Sequence, residues 1–389
     1  MAEVSAGHPE LLRLLSEEIS ARGPVSFARF MELALHHPEY GYYARGPERL
    51  GRGGDFFTAS DVGAAFGACF ARQLVEMDAL LDRPKIFRYV EHGAGRGLLA
   101  RDVEDALLAQ APELAGRFAA VLVDRSPGMR GASAERVPGA RVVAEEDAPR
   151  GGAGCVVAVE LLDALPVHRV RRRGATLVEV LVALEGDRLV EVEGDPGDEL
   201  RAWVDAHGAA PEDGDEAEAC LALGPTLAGL AASIDRGFLV IVDYGHEAKR
   251  LFGPAHRRGT LLAYHRHRAN EDYLLRVGEQ DLTAHVNLTA LRREAEALGL
   301  HTAGITTQDR FLIANGILDG LDADDGGSLA ATKRRLQAKQ LIHPQGMGTI
   351  FKVAVFTKGM EPPPVVRGLR DPFARIFDAP PEGHGGSRH

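Results

Sequence analysis

Cysteine is scarce: Cys69, Cys155 and Cys220 are the only three, and no two form a C-x-x-C pair. They suggest neither a disulfide framework nor a zinc site, and a reducing cytoplasm suits them. Long apolar runs are also missing. No stretch approaches the roughly 18 to 20 consecutive apolar residues of a membrane span, so a soluble chain with no membrane partner is expected. Residues 1–22 lack the unbroken apolar core of a secretory signal, and Glu3, Glu10, Glu17 and Glu18 do not suit an organelle-import signal. Around those acids, Leu11, Leu14 and Leu15 have amphipathic-helix spacing. Positive charge is in deficit, with 45 Lys and Arg against 56 Asp and Glu, a net charge of -11. That disfavours nucleic acid, which is held through its phosphates, and favours a basic partner.

What is present fits a folded α/β protein. A chain of 389 residues, 45% hydrophobic and 26% charged, can bury one large domain with insertions, or two domains. Lys85-Ile-Phe-Arg-Tyr-Val-Glu91 is an apolar run that ends in a glycine-rich turn, and helical spacing follows over 98–108. Three further runs also end in carboxylates: Ala119-Ala-Val-Leu-Val-Asp124, Cys155-Val-Val-Ala-Val-Glu160 and Gly237-Phe-Leu-Val-Ile-Val-Asp243. Runs apolar at nearly every position, joined by helical stretches, predict a parallel sheet covered on both faces. Ligands of such sheets bind beyond the carboxyl ends of the strands, where these acids would stand. Gly304-Ile-Thr-Thr-Gln308 and Thr349-Ile-Phe-Lys-Val-Ala-Val-Phe356 read as the last two strands.

The expected organisation is a helical extension over 1–84, a sheet domain over 85–360 and a tail over 361–389. An insertion at about 166–236 interrupts the sheet between its fourth and fifth strands. The acidic run Glu212-Asp-Gly-Asp-Glu-Ala-Glu218 within it reads as a solvated loop.

In Glu91-His-Gly93-Ala-Gly95-Arg-Gly97, the glycines allow a sharp turn that brings amides close to a ligand at the start of the next helix. The dinucleotide fingerprint G-x-G-x-x-G would need glycine at 98, where Leu98 stands. An acid followed by G-x-G-x-G instead resembles the turn of class I methyltransferases. The resemblance implies an α/β, Rossmann-like, mostly parallel seven-stranded sheet. It also implies that Asp124, ending the second strand, holds the ribose hydroxyls of S-adenosylmethionine.

Longer strings narrow the resemblance. Phe27-Ala-Arg-Phe-Met-Glu-Leu-Ala-Leu-His-His-Pro-Glu-Tyr-Gly-Tyr-Tyr43, Gly53-Gly-Asp-Phe56, Glu160-Leu-Leu-Asp-Ala-Leu-Pro-Val167 and Asp243-Tyr-Gly245 are followed by Gly278-Glu-Gln-Asp-Leu-Thr-Ala-His-Val286 and Gly346-Met-Gly348. In this order they resemble the MidA family of S-adenosylmethionine-dependent methyltransferases over nearly the whole chain. Mitochondrial members of that family assist complex I assembly and methylate a protein arginine, so the resemblance implies a protein arginine N-methyltransferase, here cytoplasmic and bacterial, acting on a basic protein. It implies donor contacts from Glu91, Gly93, Ala94, Gly95, Gly97, Asp124, Arg125, Glu160 and Leu161. The chain departs from the family pattern at four places: His92 for an apolar residue, Asp124 for glutamate, Ala59-Ser60-Asp61 for Thr-Ser-Pro, and Val159 for a polar residue.

Methyl transfer is an in-line displacement, so placing the acceptor nitrogen supplies much of the catalysis without a metal. Carboxylates could grip a guanidinium and accept the proton it loses. Glu160 and Asp163, three residues apart, are the first candidates. The other reading has Asp163 capping the turn and Glu160 touching the donor. Asp55 is a further candidate, placed by the resemblance. Asp243 and Tyr244 are open between structural and substrate-facing roles, and His285 reads as a structural histidine. His265-Arg-His267 lacks ligand partners at metal spacing. A small-molecule methyltransferase and a cofactor-binding assembly factor with little turnover remain alternatives, a nicotinamide dehydrogenase is disfavoured by Leu98, and the sequence leaves a homodimer open.

Overall fold

The computed structural model describes residues 7–46, 59–266, 268–319, 321 and 328–373. Its principal sheet has eight strands: β1 (Phe87–His92), β2 (Phe118–Val123), β3 (Arg141–Val143), β4 (Ala153–Val159), β5 (Arg236–His246), β6 (Val286–Asn287), β7 (His301–Thr307) and β8 (Phe351–Lys358). Their order is β7-β8-β5-β4-β1-β2-β3, and β6 pairs beside β5. Neighbours from β3 across to β5 run parallel, whereas β8 is antiparallel to both β5 and β7. The seven mostly parallel strands expected are thus an eight-stranded mixed sheet. Apolar runs reveal that a strand is buried but not which way it points, and β3 and β6 are too short to register as runs.

β1, β2, β4 and β5 are buried along most of their length because both faces are covered. On one face lie the helices Ala65–Leu80 and Leu98–Gln110; the latter buries Leu99, Val103 and Leu107, four residues apart. On the other lie Leu223–Ala232 and Leu288–Ala297. The chain leaves β1 towards β2 and β3, then returns to β4 on the opposite side of β1. The carboxyl ends of β1 and β4 therefore border a crevice at the point where strand order reverses.

The stretch read as an insertion builds an antiparallel second sheet from His168–Arg173, Thr176–Glu185, Arg188–Gly194 and Glu216–Ala219, joined by Val25–Ser26 from the N-terminal region. Its last helix, Leu223–Ala232, packs instead on the principal sheet through Leu223, Leu227 and Leu230. The N-terminal region divides in the same way. Helices Pro9–Arg22 and Phe27–His36 share a core with Val182, Leu261 and Leu282, whereas Ala65–Leu80 covers the principal sheet. Arg169 joins these layers, its guanidinium 5.1 Å from the Phe27 ring centre and 5.0 Å from that of Tyr273 while paired with Glu191 and Glu216. A third, three-stranded sheet of Leu262–His265, Arg268–Asn270 and Asp281–Thr283 stands beside this core. Among the described residues no helix is long and apolar enough to cross a membrane.

Candidate functional site

A cavity of about 310 Å³ opens over the carboxyl ends of β1 and β4. The turn after β1 forms one wall. Gly93, Gly95 and Gly97 hold φ of 66°, 53° and 68°, in the left-handed region that side chains disfavour. A Cβ placed on Gly95 would meet nothing nearer than the Gly93 carbonyl at 4.0 Å. Absence of a side chain there leaves the cavity open rather than relieving a clash inside the protein. Leu161 closes on Gly93 from the turn after β4.

Asp124 follows β2 and ties the glycine turn down. Its Oδ2 accepts the Gly95 amide at 2.9 Å, and its Oδ1 accepts the Ser126 amide at 2.9 Å. Burial raises its pKa, opposed by these two amides. Arg125 beside it pairs with Glu145, and both line the cavity. Glu91 sits under the turn, where its Oε2 accepts the Tyr89 hydroxyl at 2.7 Å. Burial pushes the Glu91 carboxyl up to about 7.

At the opposite wall the turn after β4 bears Glu160 and Asp163. Glu160 has φ of 53°, a strained conformation for a residue with a Cβ, and it alone among the described non-glycine residues at positive φ lines the cavity. Its Oε1 accepts the Ala59 amide at 2.9 Å, and its Oε2 is buried with no hydrogen-bond partner. Asp163, 3% exposed, faces the same cavity. Burial raises both groups well above the usual carboxylate range, and for Asp163 the next causes are the neighbouring carboxylates Asp243, Glu160 and Asp281. Asp55, the remaining catalytic candidate, lies outside the described residues.

The structure adds Tyr43 and Asp281, which the sequence reading had not singled out. Asp281 is 2% exposed, lines the cavity and accepts the Tyr43 hydroxyl at 2.9 Å. Only the string Gly278 to Val286 drew notice to this region, and it gives no hint that strand Asp281–Thr283 brings an acid to a turn some 120 residues earlier. His36 stacks on Tyr43 and contacts the Ala164 carbonyl through Nε2 at 2.9 Å.

Other candidates stand apart. Asp243 spends its carboxylate on the backbone, as Oδ2 accepts the Leu162 amide at 2.8 Å. Tyr244 stacks on His285, their ring centres 6.0 Å apart, and neither lines the cavity. Burial brings the His285 pKa down to about 4. His265 Nδ1 contacts the Glu279 carbonyl, His267 is outside the described residues, and among the described residues no group of His, Cys, Asp and Glu is arranged to hold a metal.

A family model for S-adenosyl-L-methionine-dependent methyltransferases matches residues 69–306. The chain belongs to the MidA family of these enzymes. A crystal structure of a Burkholderia thailandensis superfamily member bound to S-adenosyl-homocysteine is similar at a TM-score of 0.84 and 29% identity, covering 96% of this chain and 98% of that one. Among curated relatives, the mitochondrial protein arginine methyltransferase NDUFAF7 of Danio rerio is 28% identical, over 90% of this chain and 87% of its own. The Drosophila melanogaster homologue is 29% identical over 80% and 76%. The family's donor, S-adenosylmethionine, fits what the site offers: an open glycine turn, a cavity along it and an acid behind it.

Proposed function

We propose that this family member is a protein arginine N-methyltransferase of the bacterial cytoplasm whose acceptor is a basic protein. The observation that carries the reading is the crowd of buried acids at one end of the donor cavity. Glu160, Asp163 and Asp281 all line it, and Glu160 Oε2 has no partner. Buried beside one another and beside Asp281, Glu160 and Asp163 are disfavoured as anions until a cation enters. A guanidinium is that cation. Its planar donors suit two carboxylates at once, and it restores the charge that burial suppresses.

When bound, the donor supplies an electrophilic methyl carbon. Glu160 and Asp163 then orient the acceptor guanidinium so that one nitrogen points at that carbon, and one of them takes the proton released on methylation. Gly93, Ala94, Gly95 and Gly97 with Asp124 and Arg125 hold the nucleoside part, and Leu161 packs beside them. Names of the relatives support the arginine assignment, and the strand order supports reading the sheet as the class I, Rossmann-like type. Net charge of -11 supports a basic protein over nucleic acid as partner.

Incubation with labelled donor and a lysate of the host tests the reading. Label is expected in protein, released on hydrolysis as methylarginine. Label confined to small metabolites overturns it.

A further inference from the structure

We propose that His246, His256 and His285, with Arg250 and Lys352, form a subsite for an acidic side chain that neighbours the methylated arginine in the acceptor. The three imidazoles close a triangle, with ring centres 5.9 Å apart for His246 and His256, 5.8 Å for His246 and His285, and 6.1 Å for His256 and His285. They come from separate places in the chain. His246 ends β5, His256 ends the short turn Pro254–His256, and His285 precedes β6, which pairs beside β5. Lys352 lies in β8 opposite Asp243, next to the Tyr244–Phe351 pair of the same ladder.

The cluster is short of acids. Burial brings His246 down to about 4, and the groups that push it further down are Lys352, Arg250, His285 and His256. Burial also brings Lys352 down to about 8, with Arg250 the next cause. Nearby acids are engaged elsewhere. Glu247 pairs with Arg292 and accepts the Thr289 hydroxyl at 2.7 Å, while Asp309, whose charge acts on Lys352 in the opposite sense, accepts the Arg310 amide at 2.8 Å. Among the described residues no ion pair joins any of the five bases to a carboxylate. In a chain of net charge -11 this is a local reversal of sign, and an arriving carboxylate relieves it. Imidazoles suit that role, since each donates one N–H when neutral and a second once an anion favours its protonation.

Strand order puts the cluster on the acceptor's side of the acids. The glycine turn and Asp124 follow β1 and β2, Glu160 and Asp163 follow β4, and β5 comes next in the sheet. In-line transfer needs the acceptor nitrogen on the side of the methyl carbon away from the sulfur, which is the β5 side of those acids. Tyr244 spans the gap between the two groups. It stacks on His285, and after burial the nearest causes that raise its hydroxyl are Glu160 and Asp163. With the guanidinium between Glu160 and Asp163, the residue beside that arginine lies over Tyr244, and its carboxylate faces the imidazoles.

This inference rests on the protein-arginine reading, and the experiment separates the two claims. Calorimetry on the full chain with S-adenosylhomocysteine bound compares three blocked peptides: acetyl-Ala-Asp-Arg-Asp-Ala-amide, the same peptide with asparagine at both aspartates, and the asparagine peptide with citrulline in place of arginine. Wild-type protein is expected to hold the aspartate peptide about tenfold more tightly than the asparagine one, the scale of one charge-assisted bond, and both more tightly than the citrulline one. Arg250→Gln, at an exposed position, and His246→Asn each reduce the preference for aspartate to about twofold or less. Equal affinity for the aspartate and asparagine peptides, a preference that survives both variants, or an equal loss of both peptides in the variants overturns the subsite. If instead the wild type treats the asparagine and citrulline peptides alike, the arginine reading is what fails.

Discussion

Asp243 accepts the Leu162 amide at 2.8 Å and the Asp163 amide at 3.3 Å, so an acid at the end of β5 shapes the turn that follows β4. Its other oxygen accepts the Tyr244 amide at 2.8 Å. Glu160 and Asp163 face one cavity because this neighbouring carboxylate organises their backbone. Asp243→Ala strands two buried amides, at about 1 to 3 kcal/mol for each group left unsatisfied. Thermal denaturation should show a clear loss of stability, and initial rates should fall with it. An unchanged melting temperature would remove Asp243 from this role.

Glu160→Gln separates catalysis from folding. A buried acid raised well above its usual range, with one oxygen unpartnered, contributes little to stability, and an amide of the same shape can still accept the Ala59 N–H. The melting temperature should hold or rise, while turnover falls by about 10² or more. Loss of stability with turnover intact would make Glu160 a structural residue.

Gly95→Val tests the cavity wall. A Cβ at this position would meet nothing beyond its chain neighbours nearer than the Gly93 carbonyl at 4.0 Å, so the backbone strain of a left-handed position, about 1 to 2 kcal/mol, dominates the cost to folding. The volume it fills belongs to the ligand. Binding of S-adenosylhomocysteine should fall below detection in calorimetry while the fold survives.

How far the sequence could be read follows from the range of the interactions involved. Glycines at 93, 95 and 97 and the acid at 124 were legible because a turn and a strand end are local features, and the structure brings Asp124 onto the Gly95 amide. Direction of β8 was not, since pairing with β5 and β7 is a tertiary choice that an apolar run does not encode. Asp281 was missed for a related reason: it reads as one polar residue in a short strand, and only the packing of the small third sheet carries it to the Tyr43 hydroxyl. Asp243 left two roles open in the sequence, and backbone hydrogen bonding decides for the structural one.

Arg169 is the buried charge on which the N-terminal helices and the second sheet converge. It is 5% exposed, pairs with Glu191 and Glu216, and lies against the Phe27 and Tyr273 rings. Arg169→Ala removes the more buried of two cations on these acids and leaves Arg171 alone to hold Glu216 and Glu191, a loss of about 1 to 3 kcal/mol. Urea denaturation should show a drop of that size, and Arg169→Lys, which keeps the charge without the planar stack, should recover part of it. A change below about 1 kcal/mol would mean the layers are held by their apolar core alone.

Glu91 gives the ligand-free protein a pH dependence of predictable sign. Its carboxyl lies at about 7 in the folded chain, against an ordinary value of 4.5, because burial disfavours the charge. Between those values the folded state keeps a proton that the unfolded state has released, so the native form binds more protons and stability falls as pH rises. Below the lower value both states are protonated, and the full contribution is present; above about 7 it is lost. Asp243, also raised to about 7, acts in the same direction. Each such group contributes a slope of up to about 1.4 kcal/mol per pH unit within its window. Urea denaturation between about pH 5 and about pH 8 should therefore give a declining stability curve for the wild type, and a flatter one for Glu91→Gln, which cannot titrate. Two parallel curves would show that the folded environment does not hold a proton on Glu91.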